Sequence, residues 1–312
     1  MSFLIADVLQ GIFSTALLLS PLYLFAGMGE IVAEKSGVAN MGIEGIMLMA
    51  AFTTYAIDVT TGNPWLAISA ALGVAGLIGG FFSYLAVRLR LGQIVLGLAV
   101  YLFGLGLSFV LFNNLSTGRS LAPFTNIPNI YIPYLSDIPV VGRVLFQQNI
   151  LVYLAIALVI LTSLFLNRTS YGLRVKAVGE NPKAADNMGV NVLKVRFLAV
   201  LFGAILAGLA GAYFEIGFLQ NFQFDIIAGR GFIALAMIYL ANWGPYKTLF
   251  AAISFNVVYA AQSEYVQLSG IATAGSSQLF TMLPYVYLLA LIPILGRRAR
   301  PPKYLLKPYR KG

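Results

Sequence analysis

Glu44 is the acidic residue whose position in this chain most needs a reason. It sits in the apolar stretch 36–58, eight residues beyond Ser36, or about 12 Å along a helix at 1.5 Å per residue. A charged group near the middle of a bilayer costs roughly 2.5–3.5 kcal/mol, so a retained one points to function. Asn40 precedes it by one helical turn and is expected on the same face. Gly42 and Gly45 flank it, and a helix broken at those glycines would open a polar route. Three roles are open to Glu44: reaching the headgroups, bonding a neighbouring helix, or lining a solute path with Asn40. An amide and a carboxylate suit the hydroxyls and ring nitrogens of an uncharged polar solute. Asn256 and Gln262 interrupt a run of Ala, Val and Tyr and are expected to face a bundle interior. Phe222, between Phe218 and Phe224, could stack on a solute or sit in an interfacial aromatic belt, the simpler reading. Glu215 and Asp225 are expected at an outer mouth, able to receive Lys or Arg from an external protein.

Composition removes much other chemistry. The chain has no Cys and no His, so thiol nucleophiles, imidazole bases, disulfides and Cys/His metal sites are excluded. No metal or cofactor is expected. Of 312 residues, 59% are hydrophobic and 10% charged, against about 25% charged in a soluble domain. The expectation is an all-α polytopic membrane bundle, without a cleaved leader. A net charge of +9 raises the question of nucleic acid, but the Lys and Arg flank apolar runs instead of forming a surface stripe. No nucleic-acid partner is expected; the lipid bilayer is.

Spanning helices need about 20 apolar residues. Candidates are 7–27, 36–58, 64–87, 93–113, 149–167, 196–219 and 277–295, with weaker ones at 229–242 and 247–264. That predicts about nine crossings, with eight or ten as alternatives. Segment 229–242 is too short to cross unaided, which leaves it tilted, buried or half-inserted. One orientation places Lys35, Arg88, Arg90, Lys247, the 168–196 loop and the tail together inside, seventeen of the twenty basic residues. The N-terminus then lies outside, unless a break near 28–45 reverses it. Prolines 123, 128, 133 and 139 with Tyr131 and Tyr134 read as an ordered outer cap or a proline-rich linker. Gly203, Ala207 and Gly211, like Ala204, Gly208 and Ala212, form small-residue faces for close helix packing.

The 168–196 loop carries Arg168, Arg174, Lys176, Lys183, Lys194 and Arg196. Inside it, Asn181 is a suitable N-cap and Pro182 suits a first helical turn. A short helix is therefore predicted from Pro182 to about Met188, stopped at Gly189. So short a helix does not persist alone in water and needs a neighbour. By charge alone, the loop need do no more than set topology.

Three strings resemble one family in the right order: EKSGVANMGIEGIMLMAAF (34–52), AVGENPKAADNMGVNV (177–192) and AGRGFIALAMIYLANWGP (228–245). They look like the membrane permeases of ABC importers of the branched-chain amino acid and simple-sugar class, and within it the nucleoside permeases. The resemblance implies a single permease domain over 1–312, with a coupling loop at 168–196 and a basic tail at 296–312. It implies a cell-membrane location, and nucleosides, or else sugars or branched-chain amino acids, as cargo. A cytoplasmic ABC ATPase subunit would receive Glu180, Asn181, Pro182, Lys183, Ala184, Ala185, Asp186 and Gly189. A second permease subunit and an external solute-binding protein complete the implied assembly. No G-x-x-x-x-G-K-[ST] motif occurs, in keeping with ATP hydrolysis elsewhere. An ion-driven transporter is the rival class; it usually places acids deep in several spans, and here only Glu44 is clearly intramembrane.

Overall fold

The computed structural model describes residues 2–116, 124–136, 138, 141–269, 280–296 and 299–310. Among these no strand forms, only an isolated bridge between Asn129 and Asn149. Arg119, Pro123, Pro139 and part of the tail fall outside the described residues.

Helix α1 (Ser2–Lys35) runs unbroken through 34 residues, about 50 Å at 1.5 Å per residue. It is the axis of the bundle, with α9 (Val192–Tyr213), α11 (Pro245–Ser269) and α6 (Ile150–Arg168) packed on it. After Lys35 the chain turns at Gly37, which adopts a positive φ of 94°. Residues 36–42 return beside α1, and α2 (Ile43–Thr61) then leads away. Helix α3 (Pro64–Ser83) follows, capped by Asn63 and continued as a π-turn to Arg88. Helix α4 is Gln93–Ser116, and α5 is the short Val141–Phe146. Helices α7 (Ser170–Glu180) and α8 (Pro182–Asn187) fill the loop before α9. A π-turn, Phe214–Leu219, extends α9. Helices α10 (Arg230–Leu240) and α12 (Leu283–Leu295) are short.

Six helices among the described residues are long and apolar enough to cross a membrane: 7–35, 43–61, 64–88, 93–115, 150–168 and 192–219. This corrects the expectation of nine. Segment 229–242 yields an 11-residue helix, about 16 Å long and half a bilayer core. Helix α11 has the length, but its polar residues keep it out of the apolar set.

Small residues let these helices meet backbone to backbone. A Cβ on Gly29 would lie 2.8 Å from the Gly203 carbonyl, and one on Gly211 would lie 2.1 Å from that of Met47. The predicted small-residue face of α9 is thus the contact face toward α1 and α2. On α4, Gly97 meets Met41 and Gly104 meets Gly45, which clamps the broken segment 36–45 from the other side.

One end of the bundle gathers the basic residues. Ser83 on α3 bonds the Phe197 carbonyl at the start of α9, and the tail bonds Gly179 on α7. The opposite end holds Asn63 and the segment 124–136, which packs down as an ordered cap: Thr125 N–H donates to Asp58 at 2.7 Å. Gly211→Ala is expected to lower the detergent melting temperature by several degrees, from overpacking of about 1–3 kcal/mol. Gly73→Ala, which has open space around its Cβ position, should leave it unchanged, as read by thermal shift of both variants.

Candidate functional site

The centre of the molecule is built around the start of α10. Backbone N–H groups at a helix N-terminus have no partner within the helix and carry partial positive charge. Glu44 supplies the partner: Gly229 N–H donates to Oε1 at 2.6 Å and Gly231 N–H to Oε2 at 2.7 Å. Gly229 takes a positive φ of 81°, which turns the chain into the helix. Gly231 has no room for a side chain, since a Cβ would sit 2.7 Å from Glu44 Oε2. Of the three roles open to Glu44, the bond to a neighbouring helix is the one these contacts form.

Asn40 does not share a helix face with Glu44, because α2 begins only at Ile43. Its N–H donates to Glu30 Oε1 at 2.6 Å, and its side chain turns back to the Gly42 N–H at 3.2 Å. The re-entrant turn 36–42 is therefore held by an acid of α1. Trp243, beyond the far end of α10, donates its indole N–H to Glu34, one turn below Glu30. It is buried rather than acting as an interfacial anchor. Glu30 and Glu34 escaped the sequence reading because α1 was expected to stop at residue 27. The uninterrupted string GMGEIVAEK, free of Pro, was the signal that it continues.

Nearer the opposite end, Glu215 corrects a second expectation. It is fully buried, and neither carboxylate oxygen has a partner in the described structure. It lies in the π-turn that ends α9, a distortion frequent at functional sites. Asp58 on α2 is a neighbouring acid whose charge it feels. Phe222 is buried, not part of an exposed belt. It packs against Phe52, Tyr55 and Phe112 at ring separations of 5.5, 5.9 and 5.1 Å. Phe124 of the cap stacks on Tyr55, so aromatic rings close over the two acids. Asp225, on the connection to α10, is half-buried; burial pushes its carboxyl above the ordinary value, against the pull of the Ala228 N–H and Arg230. Arg230, half-buried, sits over the Phe214 ring at 4.7 Å and donates back to the Ile226 and Ile227 carbonyls.

Asn256 faces the interior as expected, donating to Ser20 on α1 at 3.2 Å, and Gln262 is buried further along α11. Among the described residues, Glu30, Asn40, Asp58, Arg196, Glu215, Asp225 and Asn256 each bury a polar side-chain atom without a hydrogen-bond partner. Unpaired buried groups cost about 1–3 kcal/mol each and call for an explanation. The interior is thus more acidic than the sequence reading allowed: Glu30, Glu34, Asp58 and Glu215 join Glu44.

At the basic end, the short helix forms as predicted. Asn181 accepts from Ala184 N–H at 3.1 Å, Pro182 stands in the first turn, and Gly189 ends it with a φ of 82°. The preceding α7, capped by Thr169, was not foreseen. Glu180, Asn181, Lys183, Ala184 and Gly189 are exposed, and Met188 most of all at 84%. Ala185 is not: it turns inward against Val178, Val192 and Tyr309. Pro182 is also buried. Asp186 is half-buried and accepts the Tyr309 hydroxyl at 3.0 Å. Burial and the Asp186 contact push the Tyr309 phenol up, so it stays a donor.

The tail is therefore structural. Tyr304 N–H bonds the Gly179 carbonyl at 2.9 Å. Buried Arg196 on α9 donates to the Ser36 carbonyl at 3.1 Å and the Lys307 carbonyl at 2.9 Å. Arg300 N–H reaches Asn242, beside Trp243, at 2.7 Å. One strap joins the exposed α8 corner, the re-entrant turn and the end of α10.

Among the described residues, six helices long and apolar enough to cross a membrane, with a half-length helix pinned by a buried acid, define a multi-pass membrane protein. A model of the branched-chain amino acid transport system permease component matches residues 12–292, and the chain belongs to that family of ABC permeases. It is 32% identical to the nucleoside ABC transporter permease protein NupC of Lactococcus lactis, covering 96% of each chain. It is 34% identical to the guanosine ABC transporter permease protein NupQ of Bacillus subtilis, again over 96% of each. A putative glucose ABC transporter permease protein, TsgC13 of Haloferax volcanii, is 34% identical over 83% of this chain and 79% of its own. No solved structure matches.

Glu44→Gln keeps the shape but sets an amide NH2, which cannot accept, against one of the two backbone N–H groups, so one hydrogen bond is lost and a buried donor is left unpaired at a cost of about 1–3 kcal/mol. We expect a clear drop in melting temperature and a lower maximal transport rate, with no change in the concentration of solute giving half-maximal rate. A raised half-maximal concentration at unchanged melting temperature would instead place Glu44 on the solute.

Proposed function

We propose that this chain is the membrane-embedded half of an ATP-driven importer for nucleosides or related ribose-containing solutes. In this reading residues 1–312 form one permease domain in the cell membrane, with the basic end in the cytoplasm. The observation that carries it is the α8 corner, exposed on one side and bonded on the other, through Tyr309, to the tail strap. An ATPase subunit docks on Glu180, Asn181, Lys183, Ala184, Met188 and Gly189. Asp186 and Ala185 act from beneath, through Tyr309, and Pro182 starts the helix. Closure of paired ATPase subunits pushes α8; the strap carries that push to residues 36–42 and to α10. A second permease subunit completes the pathway, and an external binding protein delivers cargo at the opposite end.

Nucleosides are favoured as cargo because relatives named for them match this chain from end to end. The interior is compatible. Tyr55, Phe112, Phe124 and Phe222 offer faces for a base, and the unpaired acceptors of Glu215 and Asp58 suit ribose hydroxyls. The glucose permease relative keeps a second reading open, in which hydroxyl recognition alone suffices.

The test is ATP turnover of the assembled complex with its binding protein. Guanosine or another nucleoside should stimulate it, while glucose and branched-chain amino acids do not; stimulation by glucose alone would overturn the cargo. For docking, Met188→Glu and Ala184→Arg should cut stimulated turnover about tenfold or more, equivalent to losing 1.4 kcal/mol of contact. Membrane insertion and melting temperature should be preserved. Full turnover in both variants would place the ATPase elsewhere.

A further inference from the structure

Helices α6 and α9 each lean on α1 and leave a groove between them, about 900 Å³ in volume, that opens on the outside of the bundle. Val32 of α1 forms its floor, and Leu161 and Phe165 face Leu198 and Phe202 across it. Leu161, Leu198 and Phe202 are 57%, 49% and 42% exposed. That exposure would be costly in water, but these residues lie in two of the spanning helices, where the surroundings are acyl chains. Phe165 is three residues from the end of α6 at Arg168, so the groove runs out where the helix leaves the apolar layer.

Its mouth is different in kind. Arg174 and Lys194 line it, and no Asp or Glu does. Arg174 lies over the Tyr171 ring at 5.3 Å, which holds the guanidinium at the opening. Both cations are exposed, and among the described residues neither is paired with a carboxylate. Apolar walls below two uncompensated cations match a molecule with a hydrocarbon tail and a negative head. A polar cargo would find few partners there, since Thr162, Tyr171 and Asn191 are the only uncharged polar side chains in the lining. A soluble ATPase subunit reaches the mouth but not the walls, which run along the membrane segments.

We propose that this groove is a binding site for an anionic phospholipid, one acyl chain between Leu161 and Leu198 and the phosphate held by Arg174 and Lys194. The consequence is mechanical. The same groove is lined by Val175 of α7 and by Met188, Gly189 and Val190, the turn joining α8 to α9. A bound lipid therefore rests against the docking element and steadies it. The site depends only on the chain spanning a membrane, and stands or falls separately from the proposed cargo.

The experiment is native mass spectrometry of the purified transport complex, extracted from bilayers of mixed phosphatidylglycerol and phosphatidylcholine. Retention of phosphatidylglycerol over phosphatidylcholine is expected, with at least a tenfold loss of that preference in Arg174→Ala/Lys194→Ala. Leu161→Trp narrows the groove without touching a charge and should reduce retention of both lipids; it serves if the double variant is unstable. Equal retention of the two lipids by the unaltered complex, or unchanged preference in the double variant, would overturn the site. Because the chain has no Cys, Leu198→Cys adds a unique thiol. Its accessibility to a lipid-soluble maleimide fits the lipid site, whereas a crosslink at that thiol to a second permease subunit refutes it by identifying the groove as subunit interface.

Discussion

A helix that begins inside an apolar layer must find partners for its first N–H groups, because no water is there to supply them. In this protein that obligation falls on one carboxylate, Glu44, which takes the N–H groups of both Gly229 and Gly231. The rest of the interior follows from it. Helix α10 need not cross the bilayer, so its two ends fall within the bundle and toward the basic face. The first end rests on α2 and the region beyond the second on α1, through Trp243 and Glu34. A carboxyl group at the helix's first turn satisfies its free N–H groups; glycine at 231 lets the acid come close enough.

Three segments that carry no continuous helix, residues 36–42, 220–229 and 241–244, are each tied by acids or amides. Glu30 holds the first through Asn40, and Asn242 joins the third to the tail at Arg300. Arg196 completes the arrangement by spanning the Ser36 and Lys307 carbonyls from the start of α9. A bilayer core tolerates irregular backbone only where protein groups satisfy it, and such places are also where segments can shift without unfolding a helix. The basic tail, which by composition does no more than set orientation, supplies the wiring between these points and the exposed α8 corner.

The sequence disclosed the parts whose signals are local. The Asn181–Pro182 start and Gly189 stop of α8 are properties of a few adjacent residues, and they stand where the residue types require. The small-residue face of α9 was readable for the same reason. What escaped depends on distant contacts. Hydropathy ends α1 near residue 27, but Glu30 and Glu34 are accommodated by Asn40 and Trp243, far away in the chain, so the helix runs on. Glu215 looked like an outer-surface acid because the apolar run stops near it; it is fully buried instead. Asn40 and Glu44 share a spacing but not a helix, since the Gly42 break comes between them. Each apolar window contains a helix in its described part, and among the described residues six helices are long and apolar enough to cross a membrane.

The acids now found inside bear on mechanism more than their number does. Charge count had set this chain apart from ion-coupled carriers, and that argument fails, because five carboxylates are buried. Family membership carries the distinction instead. The unpaired atoms themselves are informative. Glu44 and Glu34 are bonded to backbone or indole donors, whereas Asp58, Glu215 and Asn256 retain buried acceptors without partners. Several of these groups also hold the architecture, as Asp58 does for the cap and Arg196 for the tail, and each keeps one buried polar atom that a second arrangement of the helices would satisfy. Asp58 and Glu215 lie toward the end that carries the cap, and Glu30 and Asn40 lie by the re-entrant turn. Among the described residues, unsatisfied groups thus stand toward both ends of the bundle.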